Sequence, residues 1–121
     1  MLKKEAIEQI LSQIMDIIPE LEGLIVASSS GKVAAGQTLT ERDHAKIAAS
    51  VLALYKESKN VNTVVNQGTS QVLYIESENG YTIAFHGLKT FAVAIAGKDA
   101  APSLGLIIRS LRRAVEKIEQ G

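Results

Sequence analysis

The chain has 121 residues, enough for one domain with a sizeable core, and its 13 basic residues balance its 13 acidic residues. This balance argues against a global field that would attract nucleic acid or an anionic membrane, and 4% aromatic residues leave few stacking platforms for single strands. The lack of cysteine excludes disulfides and thiolate metal sites. We expect a single cytoplasmic domain over residues 1–121, with no cofactor, no metal, no nucleic-acid partner and no direct membrane insertion.

A helix and a strand hairpin are predicted first. Apolar residues at spacings of three and four predict a helix over residues 2–18, and Pro19 ends it because a proline disfavours helical torsions in the preceding residue. Residues 23–28 and 33–37 are short apolar stretches on either side of a serine-rich turn that contains Gly31. We expect these two stretches to pair as antiparallel strands.

The middle helix is predicted over residues 40–60, with Thr40 as its N-cap. Its apolar arc covers roughly 220° of the helical wheel, whereas about 100° is enough for an ordinary surface helix. A helix this apolar requires cover on two sides. The remaining positions form a polar strip, which consists of Arg42, Asp43, Lys46, Ser50 and Glu57.

The next part of the chain contains a run of strands. Residues 61–67 are either a strand start or an extended connection, and clear strands follow over residues 70–77 and 81–88. Between those two strands, Asn79 and Gly80 form the strongest short hairpin signal. The two strands are therefore expected to be antiparallel neighbours.

The last predicted strand, residues 91–96, is apolar on both faces, so we expect it to be central and covered on both sides. Its alanines would allow a helix to approach closely. The final helix follows, with Asp99 as its cap and Pro102 in its first turn. It carries an apolar stripe and continues to the end of the chain.

The element order α-β-β-α-β-β-β-α predicts an α+β fold, in which a five-stranded antiparallel sheet is flanked by helices on both faces. Five strands make a sheet roughly 24 Å wide, and one helix covers about 10 Å of it. The two terminal helices are enough for one face, but the middle helix alone leaves half of the other face uncovered. We therefore expect a dimer, because a symmetric second copy would supply the missing helix.

The hairpin sequence GLIVASSSGKVAAG, together with the element order, the alanine-rich middle helix and the strand pair around ENGYTIAF, resembles the Roadblock family. The resemblance covers essentially the whole chain and implies a Roadblock/profilin-like homodimer or heterodimer. Its middle helices would pack together, and its sheets would join edge to edge through residues 70–77. The interface residues expected on this basis are Ile47, Val51, Leu54, Ser70, Val72, Tyr74 and Glu76.

The resemblance also implies a function, because Roadblock dimers act as non-catalytic platforms. They bind or regulate small GTPases, or they tether motor and membrane-associated complexes. Prokaryotic members are often encoded as partners of a Ras-like GTPase, and some raise its hydrolysis rate. We therefore expect a small Ras-like GTPase as the partner and the polar strip as its binding surface. A direct arginine finger from Arg42 is an alternative to positioning of the GTPase's own groups.

Two other functions stay open at this point: a structural tether and a small-ligand sensor. The sensor requires a cavity, and the alanine face formed by Ala92, Ala94 and Ala96 suits either a ligand or a close-packed helix. A native mass spectrum that contained a bound ligand would favour the sensor.

Other candidate residues favour structural roles. The SSSGK segment lacks the first glycine and the final Ser or Thr of a P-loop and precedes a strand, so we interpret it as a hairpin turn. His44 is expected at a subunit contact or partly exposed, and His86 half-buried and hydrogen-bonded; their separation suggests no metal site. The cluster of Arg109, Arg112 and Arg113 is interpreted as a solvated helix face, neutralised by Glu116 and Glu119 through helical pairs.

Overall fold

The computed structural model describes residues 2–121 and has the predicted order of helices and strands. The elements are α1 (Lys4–Ile17), β1 (Leu21–Ser28), β2 (Val33–Thr38), α2 (His44–Val65), β3 (Val72–Ser77), β4 (Gly80–His86), β5 (Thr90–Gly97), a 3-10 helix (Lys98–Ser103) and α3 (Leu104–Gln120). The predicted α+β class with a five-stranded sheet is confirmed.

The strands form one antiparallel sheet in the order β2-β1-β5-β4-β3. β5 is the central strand, as predicted from its two apolar faces. Phe91 and Val93 belong to the core on one face, and Ala92 and Ala94 to the core on the other. β2 and β3 are the edges, and each pairs with a single neighbouring strand among residues 2–121.

α1 and α3 together cover one face of the sheet. Ile7 and Leu11 from α1 and Ile107 and Leu111 from α3 are each 1% exposed and pack in one core cluster with the small side chains of β5. Alanine side chains let these helices lie close to the sheet. The alanine face of β5 is therefore filled by helix packing.

α2 covers part of the opposite face. Its Ala48, Val51 and Tyr55 are buried in a second core cluster with residues of β1, β4 and β5, among them Ile25 and Phe91. These three residues form one stripe along α2, and the stripe covers about a third of the helix circumference. Ile47 and Leu52 are partly buried beside this stripe, whereas Leu54 stays exposed among the residues that the structure describes.

The bounds of α2 differ from the prediction at both ends. The helix begins at His44 because the Asp43 carboxylate caps it, accepting a hydrogen bond of 3.0 Å from the backbone N–H of Lys46. The prediction of Thr40 as the N-cap was wrong. Thr40 and Asp43 are both residue types that commonly cap helices. Only the fold of the loop before α2 determines which of the two contacts a free backbone N–H group.

The other end of α2 lies well beyond the predicted limit. Residues 61–65 are helical, so the interpretation of residues 61–67 as a strand or extended connection was wrong. The β-branched residues of that stretch favoured a strand. Asn66 instead ends the helix in the left-handed conformation, at φ 57°, a C-terminal position that Asn tolerates.

The turn between β3 and β4 is confirmed, although its glycine serves another purpose. Ser77 pairs with Gly80, and neither Asn79 nor Gly80 has a positive φ. A Cβ atom at position 80 would collide with the backbone oxygen of Ala96 on β5. Gly80 is therefore required for the close approach of two strands.

The start of α3 also differs from the prediction. Asp99 and Pro102 lie in the 3-10 helix that precedes α3, and Ser103 occupies the N-cap position without a side-chain hydrogen bond. The prediction that Asp99 caps the last helix was therefore wrong. The 3-10 segment provides the first turn instead, and Ala100 anchors it in the core.

Candidate functional site

The face of the sheet that carries α2 is only partly covered. α2 makes its main sheet contacts with β1 and β2, at one side of the sheet. On β3, at the other side, Ile75 is 39% exposed. An uncovered part of this face is therefore present at Ile75, but it is smaller than the half expected from the sequence, because Leu73 and Ala84 pack with the α2 core.

The flank of α2 that faces this open half is apolar. Ile47, Leu54 and Val61 recur along it at every second helical turn, and Val65 follows one turn after Val61. Leu54 is 43% exposed and Val61 is 62% exposed. Within residues 2–121, Ile47 is partly buried against the core, while the rest of this flank stays exposed.

A groove of about 480 Å³ lies between this flank and the exposed side of the sheet. Its apolar wall consists of Ile47, Val51, Leu54 and Ile75. The remaining lining residues are Arg42, Asp43, Lys46, Ser50 and Thr82. The structure thus brings four of the five residues of the predicted polar strip to the same groove as the three predicted interface residues of α2.

The residues of the polar strip differ in how they are held. Arg42 precedes α2, and its Nη2 atom lies 3.3 Å from Oε1 of Glu22 in an exposed ion pair. Asp43 is occupied as the helix cap. Glu57 lies outside the groove and accepts a hydrogen bond of 3.2 Å from Asn60. Lys46 and Ser50 are exposed at the rim of the groove, so they are the members of the strip best placed to contact a partner.

The predicted interface residues of the third strand lie around the open edge of the sheet. Ser70 precedes β3 and is tied to α2 by hydrogen bonds with Ser58 and Asn62. Tyr74 is exposed, and its ring lies 5.9 Å from that of Tyr81.

Side chains alternate between the two faces of a strand, so Val72, Tyr74 and Glu76 share one face of β3. Val72 packs with the α1–α3 core, which places this set on the side away from α2. This set and the apolar flank of α2 therefore lie on opposite faces of the sheet. A single interface that contained both would have to extend around the β3 edge from one face to the other.

Sequence reasoning did not select two β3 residues, Leu73 and Ile75, that lie on the same side as α2. Leu73 packs against the α2 core and Ile75 lines the groove. The alternation in VLYIES could have assigned them to one face, although only the folded sheet shows which face carries α2. Val61 and Val65 were missed because the predicted helix ended too early.

The histidines have partners within the chain. His44 is half-buried, and its Nε2 atom lies 3.2 Å from the hydroxyl of Thr38. His86 is half-buried with its Nδ1 atom 2.7 Å from the carbonyl oxygen of Gly87, which confirms the prediction of a hydrogen-bonded histidine. Within residues 2–121, no group of three or more potential metal ligands converges.

The SSSGK segment is a hairpin turn between β1 and β2, as predicted, with Gly31 at φ 93°. In α3, Arg109, Arg112 and Arg113 are exposed, and the Arg112 guanidinium lies 5.2 Å from the centre of the Phe85 ring. The solvated-face interpretation is therefore confirmed for the three arginines.

The predicted helical pairs of Glu116 and Glu119 with these arginines were wrong, because within residues 2–121 the ion pair shorter than 4.0 Å is that of Arg42 and Glu22. Glu119 has other partners. Its carboxylate accepts hydrogen bonds from the backbone N–H groups of Leu88, Lys89 and Thr90, at 3.2, 2.6 and 2.9 Å. The Thr90 hydroxyl donates another, at 2.7 Å. Partial burial acts to raise the pKa of Glu119, but the hydrogen bonds outweigh it and leave the pKa below its ordinary value.

In the part of the chain that the structure describes, no helix is both long and apolar enough to cross a membrane. Comparison of the sequence with known families and with curated proteins gives no match to a family model and no match to a curated protein.

Comparison with solved structures identifies the fold. MglB in a tetrameric arrangement superposes with a TM-score of 0.84 at 14% identity, covering 97% of this chain and 88% of that one. A Roadblock/LC7 domain from Streptomyces avermitilis gives 0.79 at 17% identity, with 93% of each chain covered. Profilin II from Acanthamoeba castellanii gives 0.63 at 8% identity, covering 89% and 92%. The predicted Roadblock/profilin-like fold is confirmed.

Proposed function

We propose that this chain, which has the fold of Roadblock domains, is a non-catalytic regulator that binds a small Ras-like GTPase as a homodimer in the cytoplasm. The observation that carries the proposal is the apolar flank of α2, which lies exposed beside the open edge of the sheet. The implied role of Roadblock dimers as GTPase platforms supplies the class of partner. The similarity to MglB, at 14% identity, supports this class of protein without identifying the partner.

The dimer follows from the position of the exposed apolar residues. A two-fold axis beside α2 would place Leu54 and Val61 of one copy against the same flank of the other, in an isologous contact. β3 would meet its counterpart at the open edge, and Ile75 would lose its exposed surface. Removal of apolar surface from water stabilises such a contact by about 25 cal/mol per Å².

The surface for the GTPase follows from the dimer. Lys46 and Ser50 lie at the rim of the groove, on the solvent side of the apolar flank. Two copies of the polar strip, brought together at the axis, make a wide surface of mixed charge and provide electrostatic selectivity for one partner.

If the dimer raises GTP hydrolysis, it does so by positioning the groups of the GTPase itself. Arg42 is the arginine nearest to this rim, and it is engaged with Glu22 at 3.3 Å. A role as an arginine finger would require that pair to open, at a small cost because exposed ion pairs contribute about 0–1 kcal/mol. Arg42→Ala therefore separates the two mechanisms: unchanged stimulation supports positioning, and loss of stimulation supports the finger.

The experiment that tests the proposal is capture of a Ras-like GTPase, loaded with GTP or with GDP, on immobilised protein. We expect nucleotide-dependent capture by the wild-type chain. Capture by Lys46→Glu should be at least tenfold weaker, because the reversed charge would repel the complementary charge on the surface of the GTPase. Lys98→Glu, an exposed residue of the 3-10 helix that does not line the groove, is the matched control. Equal capture by Lys46→Glu and the wild type would contradict this surface as the binding site.

A further inference from the structure

A separate cavity of about 260 Å³ lies along α2 and shares no lining residue with the groove. It is a half-open cleft bordered by the middle of α2, the turn after β1, the segment before β3 and the end of β4. Its lining residues are Ser29, Leu52, Tyr55, Lys56, Ser58, Lys59, Thr69, Ser70 and His86. The volume is slightly below the roughly 300 Å³ at which sites for drug-sized ligands begin, so it suits a small molecule.

The inner wall of this cavity is made of aromatic rings held in fixed positions. The rings of Tyr55 and His86 meet edge to face, with their centres 5.0 Å apart, and His86 stacks on Phe91 at 5.7 Å. The Tyr55 hydroxyl donates to the carbonyl oxygen of Gln71 at 2.9 Å. Since these contacts fix the rings in advance, a ligand that packs on them loses little free energy in ordering the wall.

The charges at the cavity have one sign. Lys56 and Lys59 are exposed on successive turns of α2 at its rim, and no aspartate or glutamate lines it. Within residues 2–121, the ion pair that lies within 4.0 Å is formed by Arg42 and Glu22, so neither lysine is neutralised by a carboxylate at that distance. Two ammonium groups beside an apolar wall favour an anion with an apolar body.

The hydroxyl groups of the cavity reinforce its shape. Ser58 donates to the backbone oxygen of Tyr55 at 2.6 Å, and Ser70 donates to Ser58 at 2.8 Å. Their protons are therefore committed to the protein. The side chains that remain to contact an anionic group are the two lysines, Ser29 and Thr69, and of these only the lysines carry charge.

We propose that this cavity binds a small organic anion that carries one carboxylate or phosphate group on an aromatic body. The ring would pack on Tyr55 and His86, and the anionic group would lie between Lys56 and Lys59. This inference goes beyond the proposed GTPase partnership and depends on neither the partner nor the dimer, since a different surface carries it. Failure of either proposal leaves the other intact.

The test is a titration of the full chain, labelled with ¹⁵N, in which amide resonances are followed by NMR. Benzoate and phenyl phosphate are the anionic probes, benzyl alcohol is the neutral probe, and inorganic phosphate lacks the ring. We expect one of the two aromatic anions to shift the amide resonances of the cavity residues. Its dissociation constant should be at least tenfold lower than that of either benzyl alcohol or inorganic phosphate. The preferred probe distinguishes a carboxylate ligand from a phosphate ligand.

Two variants identify the lysines as the cause. Lys56→Gln combined with Lys59→Gln should weaken binding of the preferred anion at least tenfold and leave benzyl alcohol unaffected. Glutamine has a helix propensity close to that of lysine, so α2 should fold normally, and the amide spectrum verifies this. Lys98→Gln, at an exposed residue of the 3-10 helix that does not line the cavity, is the control and should bind the anion like the wild type.

The proposal would be overturned by the absence of shifts of cavity residues with any probe at millimolar concentration, by equal affinity for benzyl alcohol and the anions, or by anion binding that survives the double substitution. Inorganic phosphate binding as tight as phenyl phosphate would also overturn it, because the aromatic wall would then contribute nothing.

Discussion

The two faces of the sheet differ in how completely the chain covers them. On one face, α1 and α3 bury their apolar stripes, and Leu111 is 1% exposed. On the other, α2 lies to one side, and Leu54 is 43% exposed on its free flank. The comparison shows that one face of the sheet has a fully buried core, whereas the other keeps apolar side chains exposed. An exposed apolar surface suits binding, so we place the function on the second face.

The largest expected effect lies on the closed face. Leu111→Ala should destabilise the fold by about 3 kcal/mol, because it removes buried atoms and leaves a cavity between α3 and the sheet. Chemical denaturation followed by circular dichroism measures this loss. Leu88→Ala, at a side chain 90% exposed, is the control and should change stability by less than about 0.5 kcal/mol. A similar small loss for Leu111→Ala would contradict the assignment of a tightly packed core to this face.

The next effect lies on the open face and concerns association. Leu54→Glu should weaken the dimer by about 2 kcal/mol, or roughly 30-fold in dissociation constant, because it places a charge in the centre of an apolar contact. Sedimentation equilibrium measures this constant, and circular dichroism should show an unchanged fold. Leu88→Glu is again the control. Dimerisation that is insensitive to Leu54→Glu would place the contact elsewhere.

A smaller effect concerns the position of α2, on which the open face depends. Asp43→Ala should destabilise the protein by about 1 kcal/mol, because it leaves the N–H of Lys46 without its capping oxygen. Asp43→Ser restores a capping hydroxyl and should recover most of the loss. Thermal unfolding compares the three proteins, and equal stability of Asp43→Ala and wild type would contradict the cap.

An effect of similar size is pH-dependent and belongs to the closed face. The pKa of Glu119 is lowered in the folded protein, so its contribution to stability is present above the unfolded value of 4.5 and is lost as the pH falls through the lower folded value.

Glu119→Gln should therefore cost about 1 kcal/mol at pH 7, a figure reduced for solvent screening, and much less near pH 3. Unfolding with urea at both pH values measures the difference. A cost at pH 3 equal to that at pH 7 would contradict a role for the charged form. Glu116→Gln, on the exposed side of the same helix, should be neutral at both.

Much of the fold was predictable because each element carries its own local signal. The hairpin turn at Gly31, the two apolar faces of β5 and the helical spacing in α1 all agree with the observed elements. The positions of the two ends of α2 were predicted wrongly, because they depend on the capping contact of Asp43 and the left-handed conformation of Asn66. Residue type alone determines neither. The partners of Glu119 were predicted wrongly because they lie in the β4–β5 turn, far from Glu119 in the sequence.

The candidate site was predictable in part for the same reason. The excess apolar arc of α2 is a property of one helix, so its exposed flank could be derived from spacing. The match between that flank and Ile75 depends on which face of β3 meets α2, and this is fixed by long-range strand pairing. The cavity at Lys56 and Lys59 was not predicted, since it forms where four separate segments of the chain converge.

Sedimentation equilibrium of the wild-type chain across a micromolar concentration range tests the central claim most directly. If a second copy covers the exposed flank of α2, the measured mass will be twice that of the 13.0 kDa chain. A mass of one chain at every concentration would contradict the homodimer and remove the physical basis of the proposed platform.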